Sequence, residues 1–228
     1  MSKANKSNKA IKYRLYPNDE QKVMFAKTFG CCRFVYNQLL ALQKQRYKDG
    51  ESHLSKLKSN EFATRTLKKD YDFLKEIDKF AVSNAVFHLA DAYDRFFKKQ
   101  NHFPKFKSKR KSKKSYTTNF TNNNILIGKN VIKLPKVGMV KAVIHKLPKD
   151  DWKLKSVTVS QDSVGNYFAS VLFEYEQEDI PSVSKSSTNA IGLDYKSDGL
   201  YMDSNGNKAG VHKSVSYTHL TLPTICSV

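Results

Sequence analysis

From Arg95 to Lys149 the chain carries sixteen lysines or arginines and no aspartate or glutamate, within a protein whose net formal charge is +19. No other feature constrains the fold as much. The densest part, Lys105 to Lys114, reads Lys-Phe-Lys-Ser-Lys-Arg-Lys-Ser-Lys-Lys, seven cations in ten positions with no local counter-charge. Such a run repels itself unless phosphates come near. A solvated tail or a localisation signal would share the charge, but aromatic residues and strand-like sequence continue on both sides, as nucleic-acid-binding proteins require. The expected phosphate contacts are Lys105, Lys107, Lys109, Arg110, Lys111, Lys113 and Lys114.

With 39% apolar residues over 228 positions the chain can bury a core, as one large domain or two small ones. Its cations lie in β-rich sequence and not along one amphipathic helix, which favours nucleic acid over an anionic membrane. No run of about 18 apolar residues is present, and the N-terminus lacks the apolar stretch of a signal peptide, so a cytoplasmic protein is expected. Cys31 and Cys32 are adjacent and Cys226 stands alone, with no Cys-x-x-Cys pair. Reduced thiols and no zinc in this chain are therefore expected.

Taken in order, Ala10 to Tyr16 sets Ile11, Tyr13 and Leu15 against Lys12 and Arg14, the period of a half-buried strand, which Pro17 ends. Asn18 and Gln21 fit a capping box for the next helix, and Gly30 fits its stop. A second helix from Cys32 would place Val35, Tyr36, Leu39 and Leu42 on one face. That leaves Arg33, Asn37 and Lys44 on others as candidate nucleic-acid contacts. Two helices over 18–48 with a glycine corner resemble a helix-turn-helix, a pattern that simple packed helices share. After the break at Asp49-Gly50, Asn60 to Lys69 reads as a short helix with Phe62 and Leu67 inward. Lys79 to Lys99 reads as a longer one, with Val82, Val86, Leu89, Tyr93 and Phe96 or Phe97 at helical spacing and lysines in the last turn. His88, with no second ligand at i+4, reads as a partly buried core residue.

Phe103-Pro104-Lys105-Phe106-Lys107 interleaves rings and cations, so the two phenylalanines either stack on a ligand or serve the core. Strands are expected at Tyr116 to Phe120, Ile125 to Ile127, Val131 to Leu134, Gly138 to His145, Leu154 to Gln161 and Tyr167 to Glu176, separated by Asn- and Gly-rich turns. Together they predict an antiparallel barrel or sandwich, with Trp152 as a turn or core anchor. The acidic, Ser-rich stretch up to Asn189 reads as a linker, placed at 181–189. Ala190-Ile191-Gly192-Leu193-Asp194 then reads as a short buried strand ending in a carboxylate, and Gly199 to Gly206 as a strand with a hairpin turn.

The basic first strand, Cys32-Arg33-Phe34-Val35-Tyr36-Asn37, Phe103-Pro104-Lys105-Phe106-Lys107-Ser108-Lys109, a β-region and Ile191-Gly192-Leu193-Asp194 follow one another in an order that resembles the TnpB family, also called OrfB. The resemblance covers about Ala10 to Lys213. It implies a transposon-encoded, RNA-guided DNA endonuclease with DNA and guide-type RNA as partners. The implied α+β fold is an antiparallel wedge-type β-barrel interrupted by a helical lobe, then the first strands of an RNase-H-like (RuvC) domain. On this sequence the pieces fall at 1–16 (first barrel strand), 17–100 (helical lobe), 101–180 (basic segment and barrel) and 190–213 (start of the nuclease domain). Asp194 matches the first RuvC carboxylate and would be a catalytic Mg²⁺ ligand. The family's downstream Glu, second Asp and zinc module have no counterpart here, so zinc is expected only in that further region. Tyr195-Lys196-Ser197-Asp198 departs from the family's local pattern. A non-catalytic helix-turn-helix DNA-binding accessory protein of transposition is the alternative.

Val215 to Thr224, Val-Ser-Tyr-Thr-His-Leu-Thr-Leu-Pro-Thr, back-translates to a transposase-based sequencing adapter, and Ile225 to Val228 fits its continuation. Residues 214–228 are thus expected to be an adapter-derived tail.

Overall fold

Apolar and basic residues alternate along the first strand, and the computed structural model turns that alternation into two faces. The structure describes residues 5–177, 191–195 and 200–210. Strand β1 (Asn5–Tyr16) buries Ile11, Tyr13 and Leu15 on one side. On the other side the Lys12 ammonium and the Arg14 guanidinium lie 4.2 and 5.0 Å from the Phe168 ring centre.

β1 is the middle strand of a seven-stranded sheet. The others are β2 (Lys114–Asn119), β3 (Leu126–Ile127), β4 (Val131–Leu134), β5 (Gly138–Val143), β6 (Lys153–Gln161) and β7 (Tyr167–Gln177). Their spatial order is β2-β6-β7-β1-β5-β4-β3, with every neighbouring pair antiparallel. β1 pairs with β7 along most of its length (Ile11 opposite Val171, Leu15 opposite Tyr167) and with β5 at its end (Arg14 opposite Val143). The strands expected from turn signals are all present. Trp152 is the anchor expected: its ring stacks on Tyr175 at 5.3 Å and leans on Phe173 at 5.6 Å.

Four α-helical segments come between β1 and β2. Helix α1 (Asp19–Lys48) starts with the expected capping box, Asn18 accepting from the Gln21 amide and Gln21 accepting from the Asn18 amide. The expected stop at Gly30 is not formed: α1 runs through it for 30 residues and ends at Asp49, with Gly50 at φ +73°. A glycine inside a helix costs roughly 0.5–1 kcal/mol relative to alanine. That is less than the burial of the side chains on either side of it, at about 1.5–3 kcal/mol for each large apolar group. Phe25, Phe29, Cys31, Cys32 and Val35 are all buried, and Phe25 stacks on Tyr167 at 5.4 Å. Tertiary packing therefore overrides the local stop.

The expected helix at Asn60 to Lys69 is longer and less regular. α2 (Lys56–Glu61) passes through a π-helical turn (Phe62–Leu67) into α3 (Lys68–Asp70), with Leu67 buried and Phe62 only partly so. Helix α4 (Lys79–Phe97) buries Val82, Val86, Leu89 and Tyr93 as its spacing predicts, whereas Phe97 is exposed and Lys98 is the C-cap. Thr118 of β2 donates to the buried Asp78 carboxylate at the head of α4 (2.6 Å), and Asn84 donates to the Thr117 carbonyl (2.9 Å). These bonds fix α4 to the sheet, so the core lies between one sheet face and the α1–α4 pair.

The chain divides into two units, Met1–Glu178 and Asp179–Val228. In the second, β8 (Leu193–Asp194), β9 (Tyr201–Asp203) and β10 (Lys208–Ala209) form a three-stranded antiparallel sheet in the order β10-β9-β8. The hairpin expected after Gly199 is present, turning at Gly206 with φ +84°. The strand expected to be buried is not: Ile191 and Leu193 are 57% and 62% exposed. The linker at 181–189, the Lys196-Ser197-Asp198 departure and the tail at 214–228 lie outside the described residues. Among the described residues no helix is long and apolar enough to cross a membrane.

Candidate nucleic-acid interface

Arg33, Asn37 and Lys44 follow one another at spacings of four and seven along α1, which places them on one helical stripe. The start of the basic segment lies along that stripe. The Asn37 side-chain amide donates to the Lys107 carbonyl (2.9 Å), and the Lys107 backbone N–H donates to the Asn37 carbonyl oxygen (2.8 Å). Both polar ends of Asn37 are thus engaged by the chain itself, seventy residues away in sequence. Asn37 acts as a clamp on the basic segment and does not present its amide outward.

Two cations reinforce the clamp. The Lys107 ammonium sits 3.9 Å from the Tyr36 ring centre, and the Lys44 ammonium 4.7 Å from Phe106 and 5.5 Å from Phe103. Half-burial holds the Lys107 pKa below the ordinary lysine value, with Cys32 pulling weakly the other way. Burial also pushes the Cys32 thiol up to about 12, with Cys31 adding to it, so Cys32 is a neutral floor group. Neither of the two phenylalanines left open by the sequence joins the buried core, Phe103 being 41% exposed. Phe103 packs edge-on against Tyr93 (5.6 Å) and Phe96 (5.2 Å), while Phe106 is 53% exposed beneath Lys44.

Past Lys107 the run closes into a turn. Ser112 accepts from the Ser108 amide (2.9 Å), Ser108 accepts from the Lys111 amide (3.0 Å), and the Ser112 amide donates to the Ser108 carbonyl (3.2 Å). Serine hydroxyls commonly close turns in this way. Lys109, Arg110 and Lys111 are exposed at its tip, as are Lys105, Lys113 and Lys114 around it, and none of the six has a carboxylate within salt-bridge distance among the described residues. Lys114, opening β2, donates to Gln161 at 3.0 Å. The serine brackets, four residues apart around three cations, are the sequence signal that charge counting passes over.

Arg33, Lys107, Lys113 and Lys114 meet around a recess of about 50 Å³, walled also by Phe29, Cys32 and His88. His88 is a correction to the sequence reading: it is exposed and faces this recess, so it is not a core residue. Partial desolvation, and then the Lys107 charge, hold its pKa below that of a free histidine. Among the described residues no acidic side chain lines the recess.

Asp194 belongs to the second unit, where it is exposed and opposite Met202 in the β8–β9 register. The neighbouring carboxylate, Asp203, is occupied by its own hairpin, accepting from the Asn205 and Asn207 amides and from the Asn207 side chain at 2.8–2.9 Å. Those bonds, the Asn207 side chain first, lower its pKa. Among the described residues no group of three or more His, Cys, Asp or Glu side chains is placed to hold a metal ion.

Residues 7–52 match the family model HTH_OrfB_IS605, described as a helix-turn-helix domain. In this structure that stretch holds β1 and the continuous helix α1. The chain is 30% identical over 202 residues to a Streptomyces pristinaespiralis protein named "Putative RNA-guided DNA endonuclease", covering 88% of this chain and 49% of that protein. It is 29% identical over 192 residues to "Putative RNA-guided DNA endonuclease InsQ" of Escherichia coli (strain K12), covering 81% and 44%. It is 32% identical over 111 residues to "Virulence protein VsdF" of Salmonella dublin, covering 44% and 93%. The chain thus spans about half the length of the first two relatives. A solved structure of a Cas12f1–sgRNA–target DNA complex aligns with 93% of this chain and 59% of its own at a TM-score of 0.41 and 11% identity.

Proposed function

Because the chain belongs to the TnpB/OrfB family of insertion-sequence proteins, we propose that it supplies nucleic-acid-binding parts of an RNA-guided DNA endonuclease encoded by a transposon. DNA and a guide-type RNA are its partners in this reading. The carrying observation is the clamped basic turn. Asn37 and the Ser108/Ser112 bonds hold Lys109, Arg110 and Lys111 outward on a rigid support, unpaired among the described residues. A flexible tail with the same charge would lose conformational entropy on binding, whereas this turn is already ordered.

In the same proposal the seven-stranded sheet is the wedge-type barrel, residues 17–100 are the recognition lobe inserted into it, and residues 190–213 begin the RuvC-like domain. Asp194 is then the first Mg²⁺ carboxylate. The described residues do not complete such a site, since Asp194 has no converging carboxylates and Asp203 is committed to its turn. The accessory-protein reading shares the match of residues 7–52 to a helix-turn-helix domain, but the glycine corner it drew on is not formed, since α1 is one helix through Gly30.

The test is a salt titration of binding by the purified chain. Each phosphate contact contributes roughly 0.9 to the slope of log affinity against log salt on duplex DNA. Changing Lys109, Arg110, Lys111, Lys113 and Lys114 to alanine together should lower affinity and flatten that slope by up to about 4.5. Unchanged affinity and slope would overturn the proposal.

A further inference from the structure

A second surface, at the far ends of α1 and α4, is aromatic where the first is basic. A cleft of about 590 Å³ opens there, within the range of about 300–1,000 Å³ usual for ligand sites. Its apolar walls are all rings: Tyr47, Tyr93, Phe96, Phe97 and Phe103, with the His53 imidazole. Among the described residues no leucine, isoleucine, valine or methionine contributes. Tyr47 is 85% exposed and Phe97 63% exposed, so the rings that complete the cleft are held open to solvent.

The walls are braced. Phe103 meets Tyr93 and Phe96 edge-on, and His53 meets Tyr93 edge-on at 4.6 Å. The loop carrying His53 is pinned by Gln43, which donates to the Leu54 carbonyl (3.2 Å) and accepts from the Leu54 amide (3.0 Å). This repeats, one turn and a half further along α1, the clamp that Asn37 places on Lys107. At the rim stand Lys44, Lys48 and Glu51, and the Glu51 carboxylate is taken by Arg46 at 2.5 Å. Lys44 and Lys48 have no ion-pair partner among the described residues. The cleft therefore offers flat π-faces beside uncompensated positive charge.

We propose that this cleft takes one or two unpaired bases of a single-stranded nucleic acid, with Lys44 and Lys48 meeting the flanking phosphates. The inference rests on the nucleic-acid reading above and adds a base-stacking site to its phosphate-binding turn. Rings alone would also suit a peptide, but rings beside two unpaired lysines match a strand whose bases stack while its phosphates meet the cations. Bases inside a duplex keep their faces covered, so the strand must be single or locally unpaired. Phe103 lines the cleft just ahead of the clamped segment and Lys44 lies over both Phe103 and Phe106, so a strand seated in the cleft leads directly to Phe106, Lys107 and the Ser108–Ser112 turn.

The experiment compares two probes on the full chain: a short labelled oligothymidylate and an abasic phosphodiester strand of the same length. Tyr47→Ala and Phe97→Ala remove exposed rings whose loss leaves the buried core intact. Combined, they should weaken oligothymidylate binding at least about fivefold, as loss of base stacking does, leave abasic-strand binding within error, and keep the salt slope. Equal losses on both probes, or none, would overturn the proposal. So would a wild-type chain that self-associates in sedimentation while the double variant does not, with nucleic-acid affinity unchanged, because the cleft would then be a contact between copies. Failure to bind either probe, or binding without dependence on the rings, would remove this proposal alone, whereas the earlier reading falls only if the salt titration on duplex DNA fails as well.

Discussion

The basic turn and the Asp194 strand carry the two most telling motifs of the chain, and the protein supports them in opposite ways. The turn is bolted to α1 by Asn37 and Tyr36, and α1 is itself buried along Phe25, Phe29 and Val35 against the sheet and α4. Asp194 lies on strands of two or three residues in which no described side chain is buried. Phosphate binding needs only that cations be held outward on something rigid, and one local support suffices. A metal centre for phosphodiester hydrolysis needs several carboxylates converging from distant parts of the chain. The first requirement is met within residues 5–177, and the second is not met by the described residues.

The contrast can be broken most directly by removing one large apolar side chain from each region. Phe25→Ala, at a fully buried position packed on Tyr167 and Tyr116, should destabilise the chain by about 3–5 kcal/mol in urea unfolding. Leu193→Ala, at an exposed position beside Asp194, should stay within about 0.5 kcal/mol of the parent. Equal costs would show that the second unit has a core of its own. A smaller effect is expected from Asn37→Ala, which leaves the Lys107 N–H and carbonyl without their partners. Urea unfolding should register about 1–3 kcal/mol, and trypsin should cut at Lys105 to Lys113 sooner than in the parent. An unaltered cleavage pattern would mean that the turn holds its place without the clamp. The only stabilising effect is expected from Gly30→Ala. An added Cβ there meets nothing within 4 Å and the backbone is helical, so melting should shift upward by the equivalent of about 0.5–1 kcal/mol. Destabilisation would restore the helix corner that the sequence suggests.

What the sequence by itself determined are the features made by neighbours along the chain. The alternation of β1, the Asn18–Gln21 capping box, the break at Asp49-Gly50, the buried stripe of α4 and the turns between strands all depend on residues within a few positions of one another. The charge run is equally legible, because like-charge repulsion and solvation act wherever the run is placed. Tertiary structure alone decided the rest. Gly30 stays helical because burying the rings on both sides outweighs a local preference of roughly 1 kcal/mol. Asn37, read as an outward contact, becomes a clamp because its partner is Lys107, and His88, read as a core residue, is exposed on a recess that Lys107 and Lys113 also line. The aromatic cleft exists only because Tyr47, His53, Phe97 and Phe103, spread over 57 positions, are brought together by α1, α4 and the loops that Gln43 and Asn37 pin. Side-chain partners at such separations leave no periodicity for a sequence to display, so the clamps and the cleft could be found only in the folded chain.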